Sequence, residues 1–328
     1  MAWRDRRLIQ RLGLRSPLIQ APMAGAQASD LAIAVTRGGG LGSIPCALLS
    51  PDAIRAHVQR FRDATSSAAP VNLNFFCHTQ SATPSEREAQ WHDKLAPYYR
   101  ELARWLETRG CDAIIAQGVE AGGHRGVFLP GWDATPTTTL SPRDTGNSFV
   151  NYSQQLGTMA LVPQIVDAVS VPVIAAGGIG DARGVLAASV LGAAGVQMGT
   201  VFLLADETQI SRLHRDALKR TGGKDKDDKE AMETVITNVF SGRPARGFAT
   251  RAVRELGPMS AYAPEFPDAG AALAALKAAA EERGDVGFSA LWSGQSPGFA
   301  QEKSAEEIVR TLMHEVDALL NEIRSPEL

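Results

Sequence analysis

Six short apolar runs, most of them breaking into glycine or another small residue before a helix-like stretch, constrain the fold of this chain more than any other feature. They are Pro17 to Ala21, Gly40 to Ile44, Pro70 to Phe75, Cys111 to Ala116, Val171 to Ala176 and Gly195 to Thr200. Strands that are apolar throughout and alternate with helices are those of a parallel sheet covered on both faces. Helical patterns run from Asp30 to Arg37 and from about Pro51 to Arg62. The chain is therefore an α/β protein. Glycine-rich turns follow the last two runs, where barrels place their phosphate loops, so a TIM-type (β/α) barrel is expected rather than an open doubly wound sheet.

A barrel of this type closes with eight strands, and only six runs are found. Between Phe76 and Cys111 lies a single long helical stretch, with Ser85 and Glu88 as a capping box, Trp91, Leu95, Leu102 and Trp105 on its apolar face, and a kink expected at Pro97. Two central strand–helix units are thus expected to be lacking. From Ala205 to about Val286 no strand series continues. A charged stretch, "TGGKDKDDKEAM", and a strong helix former, "AGAALAALKAAAEERG" closed by Gly284, replace it. Residues 205–286 are read as a smaller, mainly helical second domain, and residues 1–204 with 287–328 as the barrel. Ser304 and Glu307 then cap a closing helix with Ile308, Leu312, Val316 and Leu319 on one face.

The net charge of −3 gives no reason to expect a nucleic-acid or membrane partner. Cys46, Cys77 and Cys111 show no CxxC spacing, which speaks against a disulfide framework or a cysteine-held zinc. The basic N-terminus lacks the apolar core of a signal peptide, and no apolar run approaches the roughly 20 residues of a membrane span. A cytoplasmic location is expected. None of these features fixes an oligomeric state.

Two glycine-rich loops, "AAGGIGDARG" from Ala175 and "QMGT" from Gln197, follow consecutive strands. Such loops let backbone N–H groups face a phosphate, and a following helix N-terminus adds positive potential. Tight turns without a ligand are the plain alternative, but the pair in order favours phosphate. From Gly178 the spacing is GxGxxxG, not the dinucleotide GxGxxG, and "GGKDK" lacks the hydroxyl residue of a P-loop. Residues 294–298 match GxSxG, yet Pro297 follows the serine and has no N–H to donate, which excludes a nucleophile elbow.

Among six histidines, none has metal-ligand spacing. His57, His92, His214 and His314 fall among polar neighbours in helical stretches, where surface placement is expected, and His78 follows a strand end without a role. His124 differs. It sits in "AQGVEAGGHRG", residues 116–126, directly after the fourth run, with four glycines that let backbone pass close to a planar ligand. On the face of a barrel that also carries phosphate loops, a proton-handling role is favoured over a structural one. Asn72 and Gln117 lie at strand ends; their amides suit the mixed edge of a ring system, or are simply satisfied by loop backbone.

Together "IQAPMAG", "VNLNFFCH", "AQGVEAGGHRG", "PVIAAGGIGDARG", "GAAGVQMGT", "FSGRPARG" and "LWSGQS" resemble the nitronate monooxygenases, formerly the 2-nitropropane dioxygenases, and most of all their first class. The resemblance runs from about Leu18 to Phe76 and from Gly110 onward. It implies an FMN-dependent barrel enzyme that oxidises alkyl nitronates with O2 to a carbonyl compound and nitrite. It places Ala21, Pro22 and Met23 along the flavin ring, Asn72 and Gln117 at its polar edge, and Gly122 and Gly123 close by. Gly177, Gly178, Gln197, Met198, Gly199 and Thr200 would hold ribityl and phosphate, and His124 would be the catalytic base. Two departures stand out: the family's fourth and fifth strand–helix units have no counterpart, and Thr135 to Gln155 is an extended segment where a shorter link is expected. The same loops and histidine also suit an FMN-dependent NAD(P)H reductase of quinones or enoyl thioesters. A flavin-binding protein without turnover, its barrel incomplete, is the third possibility.

Overall fold

In the computed structural model the described residues are 3, 5–76, 99–126, 155–222, 232–264 and 266–324. Six parallel strands form the centre: β1 (Leu18–Gln20), β2 (Ser43–Pro45), β3 (Asn72–Asn74), β4 (Ile114–Gln117), β6 (Val173–Ala176) and β7 (Gly195–Met198). β4, β6, β7 and β1 pair in that order, β2 pairs with β3, and a parallel bridge between Ile19 and Leu41 joins the two groups. The first strand thus neighbours the last, and the chain passes from β3 to the far end of the arc before working back. That order is cyclic, as in a barrel; an open doubly wound sheet would grow outward from its first strand.

The sheet's outer face is covered by α2 (Ser29–Gly38), α4 (Tyr99–Thr108), α5 (Thr158–Val166), α6 (Ala182–Val190) and α10 (Ala305–Arg324). Leu18, Ile114, Ala116, Val173, Ala175, Val196 and Met198 point into this layer against Leu31, Val162, Val185, Val309 and Leu312. Ser304 accepts the Glu307 N–H at 3.2 Å, so the expected cap starts α10. The N-terminal ends of the strands are plugged by α1 (Arg7–Leu12): Leu8 and the following Leu14 pack on Ile19, Leu41, Ile174 and Ala194. α3 (Pro51–Ala64) begins on Ser50, which accepts the Ala53 N–H, with proline at its first position.

Among the described residues no strand joins β3 to β4, the two ends of the arc. Leu73 on β3 is 37% exposed and Ile115 on β4 46% exposed, values foreign to a strand buried between neighbours. The Ser85–Glu88 cap, the Pro97 kink, most of Thr135 to Gln155 and most of the charged stretch after Gly222 lie outside the described residues.

Residues 205–286 hold α7 (Arg212–Gly222), α8 (Arg251–Leu256) and α9 (Ala269–Glu281), but they also hold two strands that the sequence reading omitted. β8 (Thr234–Thr237) and β9 (Ala245–Phe248) pair antiparallel, and β5 (Gly123–His124) adds to them through Gly123↔Arg246 and His124↔Ala245. Each of these strands is only four residues or fewer, too short to show a period in the sequence. No helix among the described residues is long and apolar enough to cross a membrane.

Candidate active site

Parallel strands end together, so the loops after β1, β4, β6 and β7 share one edge of the sheet. Register aligns Gln117, Ala176 and Gln197 across β4, β6 and β7, on the face turned away from the helices. Ala21 donates its N–H to the Met198 carbonyl at 2.8 Å. A side chain on Gly199 would meet Ala21 Cβ at 3.2 Å and Met23 Sδ at 3.7 Å. The loops after β1 and β7 therefore meet, with Pro22 between the two contacts. Met198 itself faces the hydrophobic layer and brings only backbone to the site.

Gly177 and Gly178 have φ of 107° and 71°, conformations that L side chains rarely adopt. A Cβ on Gly177 would stand 2.9 Å from the Ala121 nitrogen, so this turn packs against the His124 loop. Carboxylates stand at the N-termini of the two neighbouring helices. Asp181 caps α6 by accepting from Arg183 and Gly184 N–H, and Glu120 caps α5 by accepting from Thr158 N–H at 2.9 Å. These carboxylates take part of each end's N–H groups and place negative charge there. What remains for an anion is the short 3₁₀ turn Thr200–Phe202 and the glycine backbone around it. Gly294 donates to Thr200 Oγ1 at 2.9 Å, which leaves the threonine's own hydrogen to be donated elsewhere.

His124 is half-buried. Its Nε2 lies 2.8 Å from Ser241 Oγ. Phe76, Phe266 and Trp292 surround its ring at centroid distances of 6.1, 5.7 and 5.6 Å. Burial among these rings, with the Arg243 cation second, lowers its pKa to about 4. The imidazole is consequently neutral at physiological pH, the state in which it can accept a proton. The loop beneath it is pinned by two buried arginines: Arg125 donates to the Gly118 carbonyl at 2.9 Å, and Arg246 to Val119 at 2.9 Å.

Gln117 spends its amide on this same loop, donating to the His124 carbonyl and accepting from Gly126 N–H. Asn72 donates to Ser43 Oγ at 2.9 Å, and Ser43 in turn donates to the Gln20 carbonyl. Gln20 and Gln27 complete a buried network there. Gln197 Oε1 is buried with no partner, an open acceptor on the inner face. Gly123 is open on its Cβ side, but a Cβ on Gly122 would stand 2.5 Å from the Gly294 nitrogen. The bareness of Gly122 is therefore used by the protein's own chain.

That neighbouring chain is residues 291–296. Phe248 N–H bonds Leu291, Ser293 N–H bonds Arg246, Gln295 N–H bonds Glu120, and Ser296 Oγ donates to the Gly178 carbonyl. Ser296 is thus a tie between loops and no nucleophile. Ser241 and Trp292, which touch His124, and the arginines that pin its loop went unassigned in the sequence, although "FSGRPARG" and "LWSGQS" contain three of the four. His214 corrects the surface expectation: α7 turns it inward to 7% exposure, whereas His57 is half-buried against Ser29 and His314 is exposed as expected. His78 and His92 lie outside the described residues. No group of His, Cys, Asp or Glu fit for a metal occurs among the described residues.

A cyclic parallel α/β arc carrying a neutral histidine and glycine loops at the C-terminal ends of its strands is the arrangement of a barrel-type enzyme. The chain belongs to the nitronate monooxygenase family, whose model matches residues 5–103 and 100–315, and is an oxidoreductase. A probable nitronate monooxygenase of Staphylococcus aureus (strain MSSA476) is 33% identical, with 97% of this chain and 99% of that one covered. The alignment runs over 379 positions against a chain of 328 residues, so part of the relative has no counterpart here. A nitroalkane oxidase from Streptomyces ansochromogenes superposes with a TM-score of 0.75 at 28% identity, covering 97% and 99% of the two chains. FabK from Thermotoga maritima gives 0.67 at 26%, covering 98% of each.

Proposed function

We propose that this protein is an FMN-dependent nitronate monooxygenase, with His124 as the base that prepares neutral nitroalkanes. The observation that carries the reading is His124 itself: neutral, desolvated, bonded through Nε2 to Ser241, and set in the loop after β4. A neutral imidazole takes the acidic Cα proton of a nitroalkane, and the imidazolium so formed, with Arg243 nearby, holds the nitronate anion. The aromatic rings of Phe76, Phe266 and Trp292 keep water from that exchange.

The residues fit a flavin mononucleotide. Gln197 Oε1 is a buried acceptor without a partner, suited to a ring N–H or ribityl hydroxyl. Gly177, Gly178, Gly199 and Thr200 offer a single-phosphate cradle, with both nearby helix ends closed by carboxylates. Ala21, Pro22 and Met23 would flank the ring, with Asn72 and Gln117 at its polar edge, Gly122 and Gly123 close by and Met198 contributing backbone. When bound, the flavin supplies the electron transfer to O2 that no side chain here provides. The overall reaction yields a carbonyl compound and nitrite.

The same loops and histidine also suit a second reading, an FMN-dependent NAD(P)H reductase of quinones or enoyl thioesters. The deciding experiment is a visible spectrum of the purified protein, identification of the released chromophore, and oxygen uptake with ethyl nitronate. Stoichiometric FMN with oxygen uptake and nitrite release supports the proposal. Rapid bleaching by NADH or NADPH, with no response to nitronate, transfers the protein to the reductase reading. A yellow protein inert to all three is a flavin binder without turnover.

A further inference from the structure

We infer that α9 joins two copies of this protein, packing antiparallel against the same helix of a second molecule about a two-fold axis between Ala275 and Leu276. The inference concerns assembly and does not depend on the reading of His124. The inner face of α9 is settled by its own molecule. Ala269 and Ala280 are buried, and Leu273 packs on the cluster that holds Phe240 and Val253. A Cβ on Gly270 would stand 2.9 Å from the Phe240 carbonyl, and Ser289 donates to Glu281 at 2.6 Å, so both ends are held down. Every exposed position of the helix is alanine or leucine except Lys277, which lies 3.9 Å from Glu281. A helix turned to water carries charge there, as α3 does with Asp52, Arg55, Arg60, Arg62 and Asp63. Helix propensity accounts for alanine on a solvated face, but not for Leu276 at 52% exposure in a row without charge.

Asp268, Ala272, Ala275, Leu276, Ala279 and Arg283 are all exposed and recur at helical spacing, so they share one stripe. An anion heads this stripe, a cation ends it, and small apolar residues fill the middle. Turned end for end, the stripe matches itself. Asp268 then meets the second copy's Arg283, Ala272 meets Ala279, and Ala275 meets Leu276. A two-fold interface demands such self-complementarity, because residue i touches j wherever j touches i. Among the described residues neither Asp268 nor Arg283 has an ion-pair partner within its own molecule. Antiparallel pairing also sets the positive end of each helix beside the negative end of the other. The alanines let the two axes approach to about 8 Å, the short end of the usual range. A foreign protein could cover the apolar middle, but a second copy necessarily brings the opposite charge to each end. One helix pair buries less than the roughly 1,200 Å² of standard interfaces, so the dimer is weak and dependent on concentration.

The test is sedimentation velocity of the full-length protein over a concentration series reaching high micromolar, with circular dichroism to verify that each variant is folded. A monomer–dimer equilibrium is expected. Leu276→Glu sets two carboxylates close to the axis and is expected to weaken the dimer about a hundredfold or more. Asp268→Arg alone, or Arg283→Asp alone, opposes like charges at both ends and is expected to weaken it about tenfold. Asp268→Arg combined with Arg283→Asp exchanges the charges and is expected to recover most of that loss. The combined variant opposes the helix dipole at both ends, so recovery cannot come from a more stable helix. A protein that stays monomeric throughout the series overturns the inference and gives α9 to another occupant. A dimer indifferent to Leu276→Glu overturns it by assigning the interface to another face. Single-variant losses that the exchange does not recover overturn the antiparallel pairing.

Discussion

Ser241 Oγ lies 2.8 Å from His124 Nε2 and donates its own hydrogen to the Arg243 carbonyl, 3.1 Å away. With its hydrogen on that carbonyl the serine accepts from the histidine, which puts the imidazole hydrogen on Nε2. Ser241→Ala removes this choice of tautomer. We expect kcat/KM for nitroethane to fall about tenfold, the equivalent of one hydrogen bond, with flavin content unchanged. Steady-state oxygen uptake checks it, and an unaltered rate would detach Ser241 from the chemistry.

Loss of the base should be selective. His124→Ala is expected to cost ~10²–10⁴-fold with neutral nitroethane, the range of general-base catalysis, and far less with preformed ethyl nitronate. Parallel assays with the two substrates read this directly. Equal losses on both would assign His124 to binding.

The pH dependence follows from two buried imidazoles. His124 and His214 both have folded-state pKa values near 4, burial being the first cause in each. Above the ordinary value of 6.5 both are neutral whether the chain is folded or not. As pH falls from 6.5 toward 4 the unfolded chain takes up protons that the native state refuses, so stability declines across that window and levels below it. Differential scanning calorimetry should show the melting temperature dropping there. In the same window kcat/KM for nitroethane should hold, its acid limb lying near pH 4; a limb at 6.5 would mean His124 is well hydrated.

Gly122 passes Gly294 so closely that a methyl group has no room between the two backbones. Gly122→Ala should destabilise the protein by ~1–3 kcal/mol through overpacking, and displace residues 293–294 from Thr200. Thermal unfolding measures the first effect and flavin content the second. A variant as stable as the parent would show that the two segments separate readily.

Thr200 accepts from Gly294 and retains one hydrogen to give. Thr200→Val removes both functions at nearly constant volume. An approximately tenfold weaker FMN dissociation constant is expected, corresponding to one lost hydrogen bond to an anion. Flavin fluorescence titration of stripped protein reads it, and an unchanged constant would move the phosphate away from this loop.

The sequence made the parallel strands legible because most lie in short apolar runs that break into a small residue. It showed His124 and the glycine loops for the same reason: they follow strands directly, and their placement is local. β8 and β9 escaped notice because Val235 and Ile236 sit between threonines in a strand of four residues. His214 was misplaced because α7 shows arginines and lysines on every other side, and only Ala217 and Leu218 mark its inner face. Ser241 and Trp292 reach His124 across more than a hundred residues of chain, and no local pattern encodes a meeting at that separation. The cooperation of Gly122 with Gly294 is of the same kind.

Residues 291–296 have a consequence for how the protein comes into being. A ribosome releases the glycine loops, the base and the barrel strands long before Leu291 emerges. Until then Thr200 Oγ1 and the carbonyls of Glu120, Gly178 and Arg246 lack the donors that this segment brings them, and Trp292 is not there to keep water from His124. A nascent or truncated chain ending before this point carries the proposed reactive groups without their order. Competence for the proposed reaction therefore waits on residues 291–296.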